Sequence, residues 1–227
     1  MDSTQIDDCQ YIGGALDTDA LIEVYKGTPF QGAMEKLALS NPKIRKVRRD
    51  GNCFYSALVF LLLERYLERP SYAEELLGRL SRMNEWLRDG GLEESLVAEF
   101  TDPIFAVLRS ATAGNPSQLE ALDNVFWGYT LLYFRMITSS YIKRNLGEFN
   151  GFLAEESWET YCRDQVEMPG SYAGEIEMTA LGAALGVSFD VITLQGVEVH
   201  RYTKGNGEKI GSLLYMPDHF DIIYYAS

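Results

Sequence analysis

Histidine, cysteine and positive charge are all scarce in this chain. Its 227 residues include two histidines, His200 and His219, and three cysteines, Cys9, Cys53 and Cys162. The cysteines stand too far apart for a zinc knuckle or a two-cysteine redox motif, and three thiols make no disulfide framework. With 20 basic residues against 33 acidic ones, a formal charge of −13, most of the surface would repel a phosphate backbone, which argues against a nucleic-acid partner. Long apolar runs are missing too. The stretch Ala57–Leu63 is about a third of the length a bilayer span requires, so no membrane partner is expected. The opening MDSTQIDDCQYIGG is acidic and polar where a secretory signal would be basic and then apolar. The expected setting is the reducing cytoplasm, with the nucleus as the alternative.

No Pro/Ser/Gly-rich linker, charge block, internal repeat or low-complexity tract divides the chain. One domain is therefore expected over residues 19–227, preceded by a flexible acidic segment at residues 1–18 that carries Asp2, Asp7, Asp8 and Asp17. What is present is the balance of a globular protein, 46% hydrophobic and 23% charged. Helical spacing of apolar residues predicts two short helices between Asp19 and Leu39. A helix apolar nearly all round then starts at Cys53, and four further helical stretches follow: 72–88, 92–109, 117–145 with a break, and 157–165. After a helix at 175–185 ended by Gly186, the runs VSFDVITLQ, VEVHRYT, SLLYMP and FDIIYYA read as strands separated by turns. The pattern predicts a mixed α/β (α+β) domain, a helical part packed on a mostly antiparallel sheet.

Cys53 follows the tight turn Asp50-Gly51-Asn52 and opens the most apolar helix. Free N–H groups and the positive end of the helix dipole there favour a thiolate, and the same N–H groups can receive the oxyanion of an attacked carbonyl. A thiol needs a base, and two histidines make a short search. His219 heads a predicted strand, so Asp221, two residues on, shares its face and can fix the tautomer that accepts a proton from sulfur. His200, read as lying at a turn beside Arg201, has no such acid and is the poorer base. Trp86, Trp127 and Trp158 read as helix-packing residues, and Cys9 and Cys162 as bystanders. Phe54, Phe220 and Tyr224 could wall a substrate channel but fit the core better.

VRRDGNCFYSAL, from Val47 to Leu58, resembles the nucleophile motif of the ovarian-tumour (OTU) cysteine proteases in its otubain form. LLYMPDHFDIIY, from Leu213 to Tyr224, resembles the otubains' closing histidine motif, with Asp218 where that family usually has glycine. LLYFRMITSSYIKRN (131–145) and EMTALGAALGVSFDV (177–191) resemble the intervening segments in the same order. The resemblance implies a papain-like fold and hydrolysis of the isopeptide bond at the C-terminal glycine of ubiquitin, in conjugates or polyubiquitin chains, with no cofactor and no metal. It further implies Cys53 as nucleophile, His219 as base and Asp221 as its orienting acid. Asp50 is implied to belong to the active site as a shaper of the oxyanion loop, whose backbone is Asp50, Gly51, Asn52 and Cys53. Two other readings stay open: a module that holds ubiquitin-charged conjugating enzymes without cleaving, and a protease for a ubiquitin-like modifier.

Overall fold

A computed structural model describes residues 10–68, 70–110, 116–152 and 157–225. The chain runs β1 (Ile12–Asp17), α1 (Asp19–Val24), α2 (Gln31–Ser40), β2 (Lys43–Val47), α3 (Cys53–Leu67), α4 (Pro70–Asp89) and α5 (Glu94–Arg109). It continues with α6 (Asn124–Arg144), α7 (Trp158–Tyr161), α8 (Glu175–Leu185), β3 (Val187–Gln195), β4 (Glu198–Gly205), β5 (Glu208–Met216) and β6 (His219–Tyr224). The six strands form one sheet in the order β1-β2-β6-β5-β3-β4, antiparallel at every pairing except β3 with β5.

The sheet divides the interior. On one face Val47, Phe189, Leu213, Phe220 and Ile222 meet α3, with α4, α5 and α6 beyond it. On the other, Ile44, Ile192, Leu214 and Ile223 are covered by Leu21 of α1 and Met34 and Leu37 of α2. Strand alternation assigns each residue to its side. Every residue of α3 except Glu64 and Arg65 is buried, which is why its sequence carries no polar face. Each fully buried Leu or Phe there contributes roughly 1.5–3 kcal/mol, so the position of the α3 start relative to the sheet is fixed by packing along its whole length.

Three expectations change. Ile12–Asp17, placed in the flexible segment, is an edge strand paired with β2, so regular structure begins before residue 18; Gly13-Gly14 hid it by breaking the apolar pattern. β2 was not expected at all, because KIRKV carries three cations, yet Ile44 and Val47 are buried and Arg45 packs over the Phe60 ring. The break expected in 117–145 falls between a 3-10 turn at Pro116–Ala121 and α6, whose N-cap Asp123 accepts the Phe126 N–H at 2.8 Å. Trp127 is buried in the core, Trp86 packs against that core partly buried, and Trp158 packs partly buried against a smaller cluster around Phe149 and Cys162.

Candidate active site

The chain turns hardest just before α3. Gly51 takes φ +75°, and a Cβ there would stand 1.8 Å from the carbonyl oxygen of Gly170, so the turn and the close approach both demand glycine. Asp50 braces the turn from inside. Its Oδ1 accepts the Asn52 N–H at 2.9 Å and its Oδ2 accepts the Arg48 guanidinium at 2.7 Å, which engages both carboxylate oxygens within the loop. Arg48 is also stacked 3.5 Å over the Tyr11 ring, tying the loop to the residue before β1.

Cys53 is the first residue of α3 and only 2% exposed. Burial pushes its thiol up, N–H groups of Phe220 and Phe54 aimed at the sulfur pull it down, and the carboxylates of Asp50 and Asp221 push it up again; the net shift is upward. The helix N-terminus was expected to favour a thiolate, but burial in the closed site outweighs it. In this arrangement Cys53 rests as a thiol.

His219 opens β6 and is 1% exposed. Its Nε2 lies 2.9 Å from Asp221 Oδ1, which also accepts the Val47 N–H at 2.9 Å, while Asp221 Oδ2 accepts Lys46 Nζ at 2.7 Å. Burial pushes the Asp221 carboxyl up, yet the hydrogen bond from His219 and the charge of Lys46 prevail and hold it below the usual carboxylate range. An ionised Asp221 accepts, so Nε2 of His219 carries the proton and Nδ1 keeps its lone pair. Nδ1 is buried and has no hydrogen-bond partner among the described residues. Because the Phe220 N–H, one residue along, faces the Cys53 sulfur, the start of β6 and the start of α3 meet at one corner.

His200 lies elsewhere. It sits within β4 opposite Thr193, not at a turn, and contrary to expectation an acid does share its face: Glu198, two residues before it, lies 3.4 Å from its Nε2. Strands β5 and β3 stand between it and β6, a separation of roughly 14 Å at the usual strand spacing. Cys162 is fully buried beneath α6, with its sulfur 4.0 Å from the Ser139 carbonyl, and Cys9 lies outside the described residues. Phe54 and Phe220 are core residues in edge contact with each other at 5.6 Å. Tyr224 is engaged by Arg45 at 3.0 Å and Glu64 at 3.2 Å.

Two contributors escaped the sequence reading. Lys46 is one, the cation that neutralises Asp221 from the neighbouring strand. The other is Arg135, 1% exposed in the middle of α6, whose guanidinium reaches Asn52 Oδ1 and the carbonyls of Gly51, Val166 and Ser171. A lone charge inside the apolar run LLYFRMI was the available signal, since a buried guanidinium must find several acceptors. Beside Asn52 a groove of about 470 Å³ opens between Tyr11, Pro169 and the first turns of α6, with Val125, Tyr129 and Leu132 on its wall.

A buried helix that starts at a cysteine, packed on a sheet whose adjoining strand carries a histidine and an aspartate, is the layout of the papain-like cysteine peptidase fold. The sequence profile described as Peptidase C65 Otubain matches residues 4–225, and the chain belongs to that family. Human ubiquitin thioesterase OTUB1 is 28% identical over 205 residues, covering 86% of this chain and 75% of that protein. The Arabidopsis thaliana OVARIAN TUMOR DOMAIN-containing deubiquitinating enzyme 1 is 26% identical over 248 residues, covering 94% of this chain and 80% of that protein. Among solved structures, a ceOTUB1 ubiquitin aldehyde UBC13~Ub complex superposes with a TM-score of 0.87 at 22% identity, over 97% of this chain and 96% of that one. The fold is thus the mixed α/β, papain-like OTU architecture, a helical subdomain on a largely antiparallel sheet.

Proposed function

We propose that this chain is a deubiquitinating thiol protease that hydrolyses the isopeptide bond at the C-terminal glycine of ubiquitin, in conjugates or chains, through Cys53, His219 and Asp221. The observation that carries this reading is His219: Nε2 is held by a buried, ionised Asp221, and Nδ1 is buried without a partner beside the corner that holds Cys53. Membership of the otubain family and the names of the relatives, ubiquitin thioesterases and a deubiquitinating enzyme, supply the substrate class.

The steps follow from the geometry. His219 Nδ1 takes the thiol proton as sulfur attacks the carbonyl carbon of the terminal glycine. The carbonyl oxygen becomes an anion received by N–H groups of the Asp50–Cys53 loop and the first turn of α3. The imidazolium, steadied by Asp221, returns its proton to the lysine nitrogen, and the C–N bond breaks to leave a thioester on Cys53. Water, deprotonated by the same Nδ1, then releases the carboxylate and regenerates the thiol.

The test is incubation of wild-type and Cys53→Ala protein with ubiquitin bearing a C-terminal thiol-reactive group, followed by intact mass. Wild type is expected to gain one ubiquitin and the variant none. Absence of an adduct on wild type would reject ubiquitin as the recognised tail. A second reading has its own support, because the similar solved complexes hold UBC13~Ub or UBCH5B~Ub with ubiquitin aldehyde. Under it the chain also holds charged conjugating enzymes, and Cys53→Ala protein would still slow chain formation in a conjugation assay.

A further inference from the structure

Two polar residues that precede helices in this chain cap them, while Thr18 before α1 and Glu93 before α5 do not. Asp123, at φ −78° and ψ 172°, accepts the Phe126 N–H at 2.8 Å; Ser157, at φ −73° and ψ 147°, accepts the Thr160 N–H at 3.2 Å. Both have the extended backbone of a capping residue. Asn52 occupies the same place before α3, and asparagine is among the best capping residues, yet its side chain makes no cap bond. Its backbone sits at φ −94° and ψ 0°, in the sparsely populated bridge region where strained active-site residues are found.

The side chain is held away. Asn52 Oδ1 accepts Arg135 Nη2 at 2.8 Å, Arg135 Nε at 3.1 Å and the Gly170 N–H at 2.9 Å. Arg135 also grips the Gly51 carbonyl at 3.3 Å, and is itself locked by the Val166 carbonyl at 3.0 Å, the Ser171 carbonyl at 2.7 Å and the face of Tyr55 at 4.3 Å. The guanidinium is 1% exposed and engaged on every side. On its other side the loop abuts Gly170 at Gly51.

We infer that Arg135 is a positioning residue: by holding Asn52 Oδ1 and the Gly51 carbonyl, it keeps Asn52 from capping α3, so that Oδ1 does not compete with the oxygen of the attacked carbonyl for the first-turn N–H groups. Without that grip Asn52 rotates to the extended, capping conformation of Asp123 and Ser157, and its own Oδ1 occupies the donors the reaction needs. This rests on the Cys53 reaction proposed above.

Steady-state turnover of ubiquitin carrying a C-terminal fluorogenic amide provides the test. Arg135→Met is expected to lower kcat about 100-fold, the scale of losing one oxyanion donor, with KM within about twofold of wild type. Adding Asn52→Ala, which removes the self-capping group, is expected to restore at least about tenfold of the loss; a merely structural arginine would give no such rescue. Should Arg135→Met fail to fold, the pair Asn52→Ser and Asn52→Ala decides, since both give up the Arg135 contact and only serine can cap. The serine variant is expected at least about tenfold below the alanine variant in kcat. Unchanged kcat in Arg135→Met, a double variant no faster than the single, or equal serine and alanine variants would overturn the inference. Wild-type protein without Cys53-dependent turnover would instead overturn the reaction itself, and the inference with it.

Discussion

Asp221→Asn separates the catalytic and structural roles of the buried aspartate. Asp221 receives three donors on two oxygens: the Val47 N–H and His219 Nε2 on Oδ1, and Lys46 on Oδ2. An asparagine offers one oxygen. If that oxygen keeps Val47 and His219, the amide NH₂ meets the Lys46 ammonium; if it turns to Lys46, the NH₂ opposes Val47 N–H and forces His219 to accept at Nε2, which moves the ring proton to Nδ1 and abolishes the base. Breaking a fully buried pair costs about 3–5 kcal/mol. Lys46 is 18% exposed and Asp221 1%, so partial solvation of the ammonium brings the figure to about 2–3 kcal/mol. For a chain of this size that corresponds to a fall in Tm of roughly 5–10 °C. Turnover of a ubiquitin amide is expected to fall on the order of 10⁴-fold, the cost of a wrong tautomer in a nucleophile–histidine–acid set. Adding Lys46→Met removes the stranded charge, so the double variant regains Tm without regaining kcat. An Asp221→Asn protein with kcat within about threefold of wild type would refute the assignment of Asp221 as the orienting acid.

Other expectations follow from the same site. Since the Cys53 thiol is pushed above its ordinary pKa of 9, alkylation of the free protein by iodoacetamide should rise with pH through a midpoint above 9, measured by mass; a midpoint below 8 would mean a preformed thiolate. Gly51→Ala must place a Cβ against Gly170 O at φ +75°, and is expected to cost at least about 1–2 kcal/mol in a denaturant titration and to lower kcat. Asp218, the one non-glycine residue with positive φ among the described residues, at 58°, carries strain that Asp218→Gly relieves, for a gain of about 0.5–1 kcal/mol net of glycine's entropy cost. A lower Tm for that variant would show that the Asp218 side chain makes a compensating contact.

The helices and the central strands were legible because their patterns are local. An all-apolar run from Cys53, a helix stopped at Gly186 in the left-handed conformation at φ 61°, and period-two strands after it need only sequence spacing to be read. The pairing of His219 with Asp221 was legible for the same reason, since residues two apart on a strand share a face. What sequence could not supply was anything that depends on which segments meet. β1 and β2 are poor strands in isolation and exist because β6 offers β2 an edge and β2 offers one to β1, a case of context overriding propensity.

Composition and motif spacing named the candidate residues of the site and their order along the chain. The state of those residues was settled by packing. Cys53 is a resting thiol because α3 is buried on all sides, and Asp221 is ionised because Lys46 and Val47 reach it from another strand. The loop before the nucleophile stays open because Arg135, 83 residues along the chain from Asn52 and on another helix, is brought by α6 to within 2.8 Å of it. Each of these is a balance between desolvation and a partner distant in sequence, and that balance exists only once the chain has closed around it.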